Sequence, residues 1–305
     1  MLNDIMTAYV ELHHATGFKF EIQASMLRCF VAFAEARGDE VVRATTVLEW
    51  AALASSPRQR CRRILLMRRF ALAVKVEDPR HEVPPLDASP TSLFKRNPPY
   101  IYTADDITRL LQAAARMPPQ NTIKPVMYTT LFGLLVATGL RIGEALALRM
   151  SDISEDGLII RNTKCRKNRL VPLHETTRQA LDAYMVIRKR YKTSDDSIFI
   201  LRTGHAPVHE TVRTTFLQLA VSVGLREKLS GRHGPRIHDL RHTFAVRSLE
   251  QCGHSRDEVT RHMAALGTYL GHTLAVSTYW YLEATPILMK QIAEAAEGMH
   301  QGVAP

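Results

Sequence analysis

The chain is poor in cysteine, in tryptophan, in acidic side chains and in long apolar runs. Its four cysteines, Cys29, Cys61, Cys165 and Cys252, lie far apart and form no CxxC pair. That spacing argues against a disulfide framework or a thiolate zinc site and fits a reducing cytoplasm. The longest apolar stretch, Leu131 to Leu140, contains Thr138 and runs straight into Arg141. It is too short to cross a bilayer, so no membrane association is expected. Asp4 breaks any charged-then-apolar signal pattern at the N-terminus. Thirty Asp and Glu stand against forty Lys and Arg, which gives a formal net charge of +10. A field of that sign favours polyanions, nucleic acid foremost, although on charge alone a basic enzyme without such a partner fits almost as well.

What is present falls into two textures. Residues 1–78 read as helical. Val31, Phe33 and Ala34 run into Arg37-Gly38, a helix closed by a glycine. Thr45 or Thr46 opens the next, and Ile64, Leu65, Met67, Phe70 and Ala71 mark another. Beside this last pattern stand Arg58, Arg60, Arg62 and Arg63, a basic stripe suited to DNA backbone contacts or simply to solvent. Six of the fifteen prolines fall between Pro79 and Pro99, so 79–101 reads as an extended linker between two lobes that can clamp something long.

Helical spacing returns after Tyr102. Thr103 with Asp106 forms a capping box, and helices are expected over about 125–137, 144–148, 209–223 and 238–252, with another begun by Ser255. Leu158-Ile159-Ile160 and Leu170-Val171 read as two short strands around a basic turn, and Ser197 to Leu201 as one more. A last helix spans 286–297. The fold class is therefore mainly α with a small β component (α+β).

Five residues make a poor core and a good site for a phosphodiester: Arg141, His238, Arg241, His272 and Tyr281. Arginine forks hold phosphate oxygens, a phenol is a nucleophile, and a histidine manages its proton. His238 and Arg241, three apart, share a helix face, as do Arg141 and Glu144; Glu144 suits the role of structural partner to Arg141. The turn between the strands carries Lys164, Arg166, Lys167 and Arg169, charged enough to touch a phosphate, and a lysine there can protonate a leaving alkoxide. Each residue singly has an ordinary explanation: an ion pair, a core histidine, a solvated turn. Tyr279, Trp280 and Tyr281 also compete, since at least one of them must be a packing residue.

The strings ATGLRIGEALAL (137–148), TKCRKNRLVPL (163–173), IHDLRHTFA (237–245) and YLGH (269–272), with Tyr281 nine residues beyond His272, resemble the tyrosine recombinases, the lambda-integrase-like strand-exchange enzymes. The tail TYWYLEATP resembles a subgroup encoded by mobile elements. The resemblance implies a core-binding domain over 1–78 and a catalytic domain over 102–305. It implies that Arg141 and Arg241 bind the scissile phosphate, that His238 assists proton transfer, and that Lys164, with Lys167 as runner-up, protonates the 5′-oxygen. His272 then hydrogen-bonds the phosphate and Tyr281 becomes a 3′-phosphotyrosine. DNA is the partner, a tetramer the expected assembly, and neither cofactor nor metal is implied. The interval Gly253 to Gly271 is longer than the family usually has.

Three other readings compete. His238-Asp239-Leu240-Arg241-His242 mimics the HExxH zinc motif of metalloproteases, with Asp for Glu. A type IB topoisomerase uses closely similar chemistry without choosing a site. A DNA-binding module that does not cut is the third.

Overall fold

The computed structural model describes residues 2–85, 98–161, 168–227, 234–252 and 256–271. The chain divides into two units, Met1–Asn97 and Pro98–Pro305.

The first unit is all helical: α1 (Leu2–Ala15), α2 (Glu21–Glu35), α3 (Ala44–Ala52) and α4 (Pro57–Val74). Ser56 caps α4 by accepting from the Gln59 N–H, and Pro57 occupies the first turn, where its missing donor costs nothing. Leu27, Phe30, Val47, Trp50, Met67 and Phe70 fill the core. The start of α3 differs from the expectation. Thr46 turns away to donate to Asp39 (2.6 Å), and the orphan Ala44 N–H is met by the Glu82 carboxylate at 2.8 Å. The beginning of the proline-rich stretch is thus folded back. His81 is buried, its Nδ1 accepting from the Val42 N–H at 2.9 Å, and the Glu82 N–H donates to the Val42 carbonyl.

The second unit holds α5 (Ala104–Ala115), α6 (Ile123–Thr138), α7 (Ile142–Leu146), β1 (Ile153–Ser154), β2 (Gly157–Ile160), β3 (Arg169–Val171), α8 (Glu175–Arg188), α9 (His209–Ser222), α10 (Asp239–Glu250) and α11 (Arg256–Leu270). The fold is mainly α with one small antiparallel sheet in the order β1-β2-β3. The expected capping box forms, with Asp106 N–H to Thr103 Oγ1 at 3.1 Å and Thr103 N–H to Asp106 Oδ2 at 2.9 Å. The apolar run is explained by α6, a central helix that buries Met127, Tyr128, Leu131, Phe132, Leu134 and Leu135. The two expected strands pair, Leu158 opposite Val171 and Ile160 opposite Arg169.

Two elements depart from the sequence reading. Ser197 to Leu201 is no strand; it makes a single bridge, Arg149 to Ser197. Ile198, Phe199 and Ile200 are all buried in succession, without the alternation of a half-exposed strand. The Tyr184 hydroxyl holds the run by donating to the Ile198 carbonyl (3.1 Å) and accepting from the Ile200 N–H (3.3 Å). That tyrosine belongs to α8, a helix absent from the sequence reading, which buries Leu181, Tyr184, Met185 and Arg188 at positions i, i+3, i+4 and i+7. The expected helix 286–297 lies outside the described residues.

Candidate active site

The site is built from ends of helices. At the end of α6, Gly139 takes φ +59, and a Cβ there would lie 2.6 Å from Phe244 Cδ1. Conformation and space both demand glycine. The turn aims the Gly139 carbonyl at Arg241, whose Nη1 donates to it at 2.8 Å. Two residues on, Arg141 opens α7. The Glu144 carboxylate accepts from the Arg141 backbone N–H (3.0 Å) and from its Nη1 (2.7 Å), as the three-residue spacing suggests.

At the other side stands the C-terminus of α11. A helix end leaves carbonyls without intrahelical donors, and it carries partial negative charge. Here three successive carbonyls each meet an arginine. Tyr269 O accepts from Arg169 Nε at 2.8 Å, Leu270 O from Arg241 Nη2 at 2.6 Å, and Gly271 O from Arg141 Nη2 at 3.3 Å. Guanidinium groups from β3, α10 and the start of α7 thereby converge on one helix end. Glu144 lies between two of them, accepting from Arg169 Nη1 (3.1 Å) and Nη2 (2.7 Å) as well as from Arg141. Burial alone would raise the Glu144 carboxyl. The hydrogen bonds from Arg169 and Arg141 overcome that and hold it down to about 2.

His238 immediately precedes α10, one turn before Arg241. The residue is exposed, yet the protein atoms around its ring still remove part of its hydration. Desolvation, then the positive charge of Arg241, pushes its imidazole down to about 4. It is neutral at pH 7, with a nitrogen able to accept a proton. His242 packs edge-on against it, ring centres 4.7 Å apart at 84°.

The structure therefore brings Arg141, His238 and Arg241 together. Lys164, Arg166, Lys167, His272 and Tyr281 lie outside the described residues. His272 directly follows Gly271, the residue whose carbonyl receives Arg141. Two arginines of the expected DNA-contact set have other work. Arg169 leaves only 11% of its side-chain surface exposed and is committed to Glu144 and Tyr269. The strand pattern holds the signal: Arg169 is two residues from Val171, a core position, and so faces inward. Arg63 stacks over the Trp50 ring at 4.5 Å and donates to the Trp50 carbonyl at 2.7 Å, a packing role. Arg58, Arg60 and Arg62 are exposed. At about 100° per residue, Arg58 and Arg62 share a face with Arg69.

The zinc-motif reading loses its acidic residue. Asp239 is buried and turned to Arg236, which donates to it through Nη2 (2.8 Å), Nε (3.1 Å) and the backbone N–H (2.9 Å). A carboxylate so engaged does not face a position shared by His238 and His242. Among the described residues no helix is long and apolar enough to cross a membrane.

Comparison with known proteins agrees with this geometry. The model of the phage integrase family matches residues 101–286. A putative integrase/recombinase of Sinorhizobium fredii is 36% identical, with 95% of both chains covered. The tyrosine recombinase XerD of Caulobacter vibrioides is 29% identical over 80% of this chain and 76% of its own. Among solved structures, a lambda integrase tetramer bound to a Holliday junction superposes with a TM-score of 0.62 at 18% identity, covering 90% of this chain and 78% of the other. The arginine pair, the histidine and this match over most of the chain place the protein in the phage integrase family of tyrosine recombinases.

Proposed function

We propose that the protein cuts and rejoins duplex DNA at specific sites through a 3′-phosphotyrosine on Tyr281. The observation that carries this reading is the convergence of Arg141 and Arg241 on adjacent carbonyls at the end of α11, beside a neutral His238. Arg141 keeps a third of its side chain exposed, so an incoming phosphate can reach it. Two guanidinium groups there offset the charge that builds on the non-bridging oxygens during attack. His238 accepts the phenolic proton as the Tyr281 oxygen bonds to phosphorus. The bond from phosphorus to the 5′-oxygen breaks, and Lys164 protonates that leaving oxygen. One phosphoester replaces another, so the reverse attack by a 5′-hydroxyl reseals the strand without an external energy source.

The exposed arginines Arg58, Arg60 and Arg62 supply sequence-independent contacts to the DNA backbone, and their loss would lower the salt dependence of binding. Strand exchange between two duplexes needs four active sites, and we assign a homotetramer on DNA to this role.

The test is capture. DNA covalently held by the protein is isolated from expressing cells and its ends are sequenced, and a nicked duplex carrying that sequence is then offered to purified protein. A covalent adduct should accumulate with wild type and vanish with Tyr281→Phe. No adduct from wild type, or an adduct that survives the substitution, would overturn the proposal. Relaxation of plasmids lacking the recovered sequence would favour topoisomerase-like action instead.

A further inference from the structure

We infer that Arg169 is a positioning residue for Arg141, an inference that rests on the function proposed above. Its guanidinium makes two sets of contacts at once. Nη1 and Nη2 grip the Glu144 carboxylate at 3.1 and 2.7 Å, while Nε donates to Tyr269 O at 2.8 Å. Both Glu144 oxygens are therefore shared: Oε1 receives Arg141 Nη1 and Arg169 Nη1, and Oε2 receives the Arg141 backbone N–H and Arg169 Nη2.

The sharing has an electrostatic consequence. A carboxylate with Arg141 as its sole cation would largely cancel the charge that Arg141 brings to a phosphate. With Arg169 taking part of its field, Glu144 orients Arg141 and leaves it cationic. Arg169 does not itself reach the phosphate side, since its side chain is 11% exposed against 33% for Arg141.

The contact has a mechanical consequence as well. Arg169 lies against Gly271, where a Cβ would fall 2.9 Å from Nη1 at a backbone φ of +66. The same guanidinium thus fixes the end of α11, whose next two carbonyls seat Arg241 and Arg141. It ties that end to β3, the strand that follows Lys164 in the sequence. A bidentate, planar donor is needed for such a double task, and lysine supplies only the charge.

The experiment follows covalent adduct formation on the nicked duplex at saturating DNA, with DNA affinity and melting temperature measured beside it. Arg169→Met should slow the step about 10–100-fold, the order expected when a reacting group is misplaced by an ångström, with DNA affinity within about twofold. Arg169→Lys should sit between Met and wild type. Adding Glu144→Gln to Arg169→Met should recover at least about fivefold of the lost rate, because the uncompensated carboxylate is gone. A merely structural role would make the two losses add. Arg169→Gln replaces Met in the cycle if the Met variant does not fold. An unchanged rate in the Arg169 variants, or no recovery in the double variant, would overturn the inference. Failure of wild type to form the Tyr281 adduct would instead sink the proposed function.

Discussion

Replacing Glu144 by glutamine removes the carboxylate that Arg141 and Arg169 share, and the cost can be worked from its ionisation. The carboxyl is held at about 2 against an ordinary 4.5. At ~1.4 kcal/mol per tenfold change in acidity, that difference corresponds to about 3 kcal/mol of folding stability at neutral pH. Breaking one partner out of a buried ion pair costs a similar ~3–5 kcal/mol. Because the folded value is depressed, this stabilisation is complete above the unfolded carboxyl range and drains away as pH falls toward 2. Glu144→Gln should therefore lose about 2–4 kcal/mol at pH 7 in urea unfolding of the full chain, and the gap to wild type should shrink to about 1 kcal/mol near pH 3. Scanning calorimetry would assign the affected transition to the second unit. A gap under about 1 kcal/mol at pH 7, or one indifferent to pH, would refute the view that both arginines lean on this carboxylate.

Gly139→Ala should destabilise by about 2–4 kcal/mol, combining a left-handed backbone penalty with the clash against Phe244. Adding Phe244→Ala relieves the collision alone, so urea melts of the double variant that show no partial recovery would discard the steric part of the argument. The first unit should lose stability as pH drops from 7 to 5. Burial depresses the His81 imidazole below its ordinary 6.5, so the unfolded chain takes up a proton there that the folded chain resists. His81→Asn, whose side-chain oxygen can replace Nδ1 as acceptor for the Val42 N–H, should flatten that decline in melting temperature; an unchanged slope would exonerate His81.

Much of this was legible before any coordinates. The capping box of Thr103 and Asp106 and the pairing of Arg141 with Glu144 each join residues three apart, so local geometry alone writes them. The hairpin strands at 157–160 and 169–171 show in their β-branched and apolar residues, and the motif strings carried the family. Other features escaped because their partners are distant in sequence. Glu82 caps α3 from 38 residues away, and no local pattern announces that. In sequence Arg63 reads as a DNA-backbone contact or a solvated cation, yet it packs over Trp50, thirteen residues back. Arg169 read as part of a charged turn, although its strand parity with Val171 pointed inward. The helix α8 carried a readable apolar spacing in Leu181, Tyr184 and Met185.

The sequence by itself determined the inventory: which side chains can hold a phosphate, where most of the helices lie, and which residues three apart pair with one another. Such choices depend on backbone conformation and on neighbours within a turn or two, and one strand of text contains both. Only the tertiary structure decided which arginines face outward and which brace. Arg141 and Arg169 lie on either side of one carboxylate, and their roles part only because the end of α11, a hundred residues further along, seals one in the interior and leaves the other open. Burial is a property of all the surroundings at once, and it assigns identical guanidinium groups to different tasks.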